Sequence, residues 1–457
     1  MVGAGFAGLT AARTLRRSGK SVVVLEARDR VGGRVWTQQL ADGTPVDRGG
    51  AWLAPGRDEA FTLAGELGVS TYRTWSEGFH LLIEEERIHR YRGLIPKISP
   101  PTVISIALAQ LRIDLTAKRV PLEAPWSARR AGAWDAQTVA SWLERSGIRT
   151  TIGQNLFEMA LQGLFATDLA EVSLLDLLFL VRAHGSTTTL FSVEGGSQEN
   201  LIEGGAGTIA RRMADDLGDG LVLDAPVRSI TEQAGGIVVR SDGVAVQAAD
   251  VVVAVPPALA LKIFFEPDLS PERRRLYEQA VAGKETKTVV IYDEPFWRAE
   301  GLSGQSAGPG SPAEVTIDAS PSHGGHGALA SFTFGPVAQR LEALDPDERR
   351  SALLRELVGR FGPKAKSPLE LVETAWWNEP WTLGCSMAHF PPGVLTRSGP
   401  LLREPFGRVH WAGTETATTS HGAIDGAIRS GLRAAAAILG DDAPTPPAGA
   451  PEKRTPS

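Results

Sequence analysis

A single cysteine, Cys385, stands in 457 residues. That scarcity excludes a disulfide framework and any metal site built from several cysteines. No run of about 18 apolar residues occurs, so no transmembrane helix is expected. The longest apolar stretch, LLDLLFLV at 174–181, is broken by Asp176. Positive charge is not in excess. The 47 Lys and Arg residues face 53 Asp and Glu, giving a net charge of −6 and a pI near 5.9, which argues against nucleic acid as a partner. No secretory leader is read at the start, because the first residues already form a glycine-rich loop. Hydrophobic content of 42% and charged content of 22% are ordinary for a globular chain, and the length exceeds one core, so two domains are expected. A soluble, cytoplasmic enzyme without metal or membrane partner is the resulting expectation.

What is present begins at once. Gly3-x-Gly5-x-x-Gly8 lies in VGAGFAGL, and Glu26 ends the apolar run SVVVLE. Gly3 permits a tight turn after a strand, Gly5 lets the backbone approach a pyrophosphate, and Gly8 lets the next helix pack closely. That helix aims its N-terminal N–H groups and positive dipole end at phosphate. Glu26 sits where a carboxylate accepts hydrogen bonds from a ribose. Phe6, Leu9, Ala12 and Leu15 keep helical spacing, Gly19 supplies a C-terminal stop, and Val22–Leu25 reads as a buried parallel strand. Only Met1 and Val2 precede Gly3, where about five strand residues are usual. Either the natural chain starts upstream or the central strand is short.

Farther on, 102–115 and 172–183 carry helical periodicity. LVLDAPVRSI, GIVVRSDG, DVVVAVPPALAL and KTVVIYDEPFW read as strands. In 345–361, Asp345 caps a helix with Pro346 in its first turn and Glu348 three residues past the cap. RVHWAG is a strand running into a turn, and 424–439 is a helix. The Pro-rich tail 441–457 is expected to be disordered. The dinucleotide-like segments are scattered, so a second domain is inserted between them, a two-domain α+β arrangement. The expected division is 1–77, 195–268 and 401–440 for the first domain, with a helical part at 78–194 and a sheet part at 269–400 for the second.

Together the segments resemble the FAD-dependent monoamine oxidase family, which includes polyamine, putrescine and nicotine oxidases. The resemblance rests on VGAGFAGL, LEARDRVGGR, DRGGAWL, DLAEVSLL, VEGGSQENLIEGG, KTVVIYDEPFW, AWWNEPWTLGCSMAHFPPG and HWAGTETAT…HGAIDGAIRSG, and it covers nearly the whole chain. It implies a Rossmann-like FAD domain of glutathione-reductase type with an inserted substrate domain. It also implies amine oxidation to an imine, with O2 reduced to H2O2. The implied cofactor contacts are Gly3, Gly5, Phe6, Ala7 and Gly8; Glu26, Ala27, Arg28, Gly33 and Arg34; Gly49, Gly50, Ala51 and Trp52; Val227 and Trp376; Cys385; Gly413 and Glu415; Gly422, Ala423 and Ile424. Arg34 can form charge-assisted bonds to a phosphate. By resemblance Lys287 reaches the flavin N5 through a water, whereas Lys284 is expected to be exposed.

Two departures bear on substrate. The family's paired aromatic rings fall at Ser386 and Ala423 here, so both rings are missing. Trp381 and His421, with Ser386 and Ala423, are the expected substrate-lining residues, and the wider site suits a bulky, secondary or tertiary amine. Cys385 aligns with the residue that bonds flavin covalently in mammalian relatives; non-covalent FAD is the favoured reading and covalent attachment stays open. A homodimer also stays open. So do oxidation of a non-amine intermediate on the same scaffold and a non-catalytic flavoprotein.

Overall fold

The computed structural model describes residues 1–440 except 86, 94, 95 and 97. The tail 441–457 lies outside the described residues.

Val2 is the centre of the first sheet. It bridges in parallel to Leu25 on one side and Val253 on the other. Leu25 continues to Val222, and Val253 to Trp411, again in parallel. The order is therefore 221–222, 24–25, Val2, 251–253, 409–411. The ladder at Val2 runs through Val2 N–H to Val252 O at 2.9 Å, Ala254 N–H to Val2 O at 2.9 Å, Leu25 N–H to Met1 O at 2.9 Å and Gly3 N–H to Leu25 O at 2.8 Å. β-Branched residues buried on both faces suit this parallel arrangement. The Phe6–Arg17 and Ile424–Leu439 helices cover one face and pack on each other. Gly431 permits that approach, since a Cβ there would lie 2.3 Å from Ala7 O.

The second domain is built on a seven-stranded sheet in the order 370–375, 285–292, 327–334, 315–318, 302–307, 79–84, 87–91. Its pairs are antiparallel except 302–307 with 79–84. The hairpin Phe79–Glu84 and Arg87–Tyr91 corrects the helical reading of the segment that starts at residue 78. Its alternation is poor and its outer strand mostly polar, as befits an edge. The helices follow at Pro100–Ala117, Thr151–Phe165 and Leu174–His184. Leu174–His184 is buried almost all round, and Asp176 inside it accepts a bond from Phe390 N–H at 2.9 Å. Burial pushes the Asp176 carboxyl up to about 7. Asp345 caps the Pro346–Phe361 helix as the sequence predicts, accepting from Asp347 N–H at 2.9 Å. No helix among the described residues is long and apolar enough to cross a membrane.

Candidate active site

A cleft of about 470 Å3 runs along the carboxyl ends of the parallel strands. Gly3, with φ +96°, makes the turn out of the central strand. Gly5, Phe6 and Ala7 line the cleft; Gly8 does not. Gly8 works behind it, where a Cβ would stand 2.0 Å from Gly3 O. Gly5 has no side chain to cap the helix it precedes, so the first-turn N–H groups of Phe6–Arg17 are left for a ligand. Ala423 likewise gives no side-chain cap to Ile424–Leu439. Two uncapped helix starts thus face one cleft, with Gly422, Ala423 and Ile424 on its wall. Gly33, with φ +61°, faces Gly5 so closely that a Cβ on it would lie 3.3 Å from Gly5 Cα.

Glu26 is buried at the cleft beside Ala27 and Arg28. Its Oε2 accepts from Ala4 N–H at 2.6 Å and its Oε1 from Arg28 N–H at 3.0 Å. Arg28 reaches Thr382 with one nitrogen, while its Nε is buried with no partner. Burial lowers the Arg28 pKa. Val227 and Arg228 line the same stretch, and Trp381 lies with its ring 5.8 Å from the Arg228 guanidinium. Trp381 is absent from the wall of the second chamber described below. The uncapped helix starts, the glycine cradle, the buried ribose-type carboxylate and the orphaned arginine donor together fit a dinucleotide of FAD type.

Arg34 borders the cleft and is engaged elsewhere. Its Nη1 donates to Glu415 Oε1 at 2.7 Å and to Ser386 O at 2.6 Å, and its Nη2 to Glu415 Oε2 at 3.1 Å. Glu415 is 3% exposed and does not line the cleft, although Gly413 does. Burial works against the Arg34 charge, but Glu415 more than offsets it, so the pKa rises.

Gly50, Ala51 and Trp52 wall the cleft, and Gly49 lies just behind. A Cβ on Gly49 would meet Arg34 O at 2.1 Å and Trp376 Cζ2 at 2.7 Å. Trp376 is fully buried, donates to Arg48 O at 3.1 Å, and packs behind Gly49. Lys287 is also behind the wall. Its Nζ donates to Gly49 O at 2.8 Å and lies 4.8 Å from the centre of the Trp52 ring. It borders a separate cavity of about 30 Å3 with Asp47 and Tyr72, room enough for a water. Burial lowers the Lys287 pKa to about 8, against the pull of Asp47 and Glu285. Lys284 is exposed, as the sequence predicts.

Beyond the cleft lies a chamber of about 180 Å3 that shares Trp52, Ser197, Gln198, Ser386, Gly422, Ala423 and Ile424 with it. Ser386 and Ala423, where the aromatic pair is missing, sit on this shared face. Leu53, Leu164, Leu180, Leu190 and Met387 form the apolar part of the chamber wall. His421 contributes to the wall, but its ring is tilted against Phe179 at 5.1 Å and both ring nitrogens are buried without partners. Burial holds its pKa near 4. His421 is thus a packed neutral histidine. Arg57 also lines the chamber. No spacing rule in the sequence marks Arg57. The thiol of Cys385 lies buried on the cleft, pushed well above its usual range by burial.

A cleft of this kind opening into such a chamber defines a two-domain flavoprotein oxidoreductase. Residues 6–439 match the family described as flavin containing amine oxidoreductase, and the chain belongs to it. It is 40% identical over 438 residues to AofH of Mycobacterium tuberculosis, provisionally named a flavin-containing monoamine oxidase, covering 96% of this chain and 95% of that protein. It is 34% identical over 450 residues to amine oxidase B of Sus scrofa, covering 96% and 85%. A putrescine oxidase solved with putrescine superposes with a TM-score of 0.92 at 32% identity, over 96% of this chain and 98% of that one.

Proposed function

We propose that this FAD-dependent enzyme oxidises a neutral amine to an imine, which water hydrolyses to an aldehyde or ketone, and that O2 is reduced to H2O2. When bound, FAD supplies the two-electron acceptor for the substrate's α-carbon. The observation that carries this reading is the shared face at Ser386 and Ala423, where the cofactor cleft opens into the chamber. The apolar side chains of the wall desolvate the amine and favour its uncharged form. Gly3, Gly5, Phe6, Ala7 and Gly33 hold the pyrophosphate, Glu26 the ribose, and Val227 borders the adenine. Lys287 holds a water at Nζ in the small cavity behind the Gly49–Trp52 wall. Cys385 is protonated in its buried setting, and FAD is bound without a covalent link; acid denaturation then releases all the yellow colour.

The test is an amine panel scored by anaerobic bleaching of the flavin and then by peroxide on adding oxygen. Bleaching with peroxide supports the reading; a flavin that no amine bleaches overturns it. The missing rings favour one second reading, a dehydrogenase or desaturase on this scaffold, which would bleach without producing peroxide.

A further inference from the structure

The second chamber has a charge pattern of its own. Arg57 and Asp425 are the charged side chains on its wall among the described residues. Asp425 is already neutralised: Oδ1 accepts from Ala60 N–H at 3.1 Å, and Oδ2 from Ser420 Oγ at 2.8 Å and Arg429 Nε at 2.7 Å. Arg57 is different. Its Nη2 donates to His184 O at 3.0 Å, and its Nε is buried with no partner. His184 in turn donates Nε2–H to His421 O at 2.7 Å, which fixes the segment that presents the carbonyl to Arg57. Arg57 lines the chamber and not the cleft, whereas Ser386 and Ala423 line both. Arg57 thus lies on the chamber side of the face that Ser386 and Ala423 share with the cleft.

We propose that Arg57 receives a substrate carboxylate, so that the preferred substrate is an amine with its carboxylate at the far end, an ω-amino acid. The inference rests on amine oxidation at the shared face. A diamine fits poorly, because its second ammonium would meet a like charge with no free carboxylate to receive it. A planar guanidinium with open donors is suited to a carboxylate, which can take two parallel bonds from it.

The experiment compares chains of equal length on the holoenzyme by anaerobic flavin bleaching: 6-aminohexanoate, hexylamine and 1,6-diaminohexane, with the four- and eight-carbon sets alongside. At the best length the amino acid should exceed the diamine in reduction rate over Kd by about tenfold or more, as a charged hydrogen bond supplies. Arg57→Gln should remove this preference, lowering the ratio of 6-aminohexanoate to 1,6-diaminohexane by about tenfold or more. Arg57→Glu should turn it toward the diamine. A parent enzyme that prefers the diamine at every length overturns the proposal, as does a preference that survives Arg57→Gln. Hexanoate binding, read as a shift in flavin absorbance, separates this inference from the reading beneath it. Arg57-dependent hexanoate binding without bleaching by any amine leaves the carboxylate site standing and rejects amine oxidation. Equal hexanoate binding by parent and Arg57→Gln rejects the site.

Discussion

Arg34 and Glu415 are 381 residues apart in the chain and meet as a two-pronged ion pair, with Nη1–Oε1 at 2.7 Å and Nη2–Oε2 at 3.1 Å. The pair joins the first and last cofactor segments, and Arg34 adds a bond to Ser386 O at 2.6 Å. Removing one partner leaves a buried charge alone. Arg34→Met is expected to cost about 3–5 kcal/mol and to lower FAD occupancy, read by thermal melting and by the flavin-to-protein absorbance ratio. Burial pushes the Glu415 carboxyl up and Arg34 pulls it down further, to a net value below the usual range. The unfolded carboxyl titrates higher than the folded one. The pair's contribution is therefore present above the unfolded value and lost as pH falls through the folded one. Parent and variant should converge in stability toward acid; parallel curves down to the lowest pH would contradict this account.

Gly8 acts through packing alone. A Cβ there would lie 2.0 Å from Gly3 O and 3.3 Å from Ala254 Cβ, so either the helix or the turn must move. Gly8→Ala should destabilise by about 3 kcal/mol or more and empty the cofactor cleft. Gly65→Ala is the control, since Gly65 is likewise helical, without a positive φ, but a Cβ there meets nothing within 4 Å. Equal melting temperatures for the two variants would remove the packing argument.

The cofactor half was legible because its chemistry is local. The spacing of Gly3, Gly5 and Gly8 and the position of Glu26 encode turn, helix start and carboxylate within one βαβ unit, and Phe6–Arg17 and Ile424–Leu439 fall where the apolar period predicts. What the sequence hid is non-local. The strand at Phe79–Glu84 pairs with Leu302–Ala307, far along the chain, and its own pattern is too weak to announce a sheet edge. Nor does the sequence show that Glu415 pairs with Arg34 and that Trp376 packs behind Gly49. Trp381 sits near Ser386 in sequence, yet the chain carries it toward Arg228. Arg57 belongs to no motif, and its setting depends on the carbonyl of His184, 127 residues away.

Lys287 couples stability and oxygen chemistry. Burial lowers its pKa to about 8, whereas an unfolded lysine titrates near 10.4. Between those values the unfolded chain holds a proton that the folded chain lacks, so stability rises with pH across that window, by about 3 kcal/mol for this group. Lys287→Met should abolish that rise, seen as the parent-minus-variant difference in denaturant midpoint from pH 7 to pH 10. In stopped-flow the same variant should slow reoxidation by O2 more than reduction by amine. Unchanged reoxidation would take Lys287 out of the oxygen step.

Ser386 and Ala423 line both the cleft and the chamber, so they set the width of the passage between them. Neither fills it: one ends in a hydroxyl, the other in a methyl. Replacing both by tyrosine should narrow the opening into a slot between two rings. Slender primary amines should keep most of their kcat/KM, while bulky or N-substituted amines should lose about a hundredfold or more, because a clash rejects more strongly than a lost contact. The single variants separate the contributions. Ser386→Tyr adds bulk on the segment whose carbonyl Arg34 holds, so its flavin occupancy must be measured beside its kinetics. Ala423→Tyr adds bulk at the uncapped start of Ile424–Leu439 without removing a side-chain cap. A double variant that retains full flavin and the parent's order of substrate preference would show that the amine does not pass between these two positions.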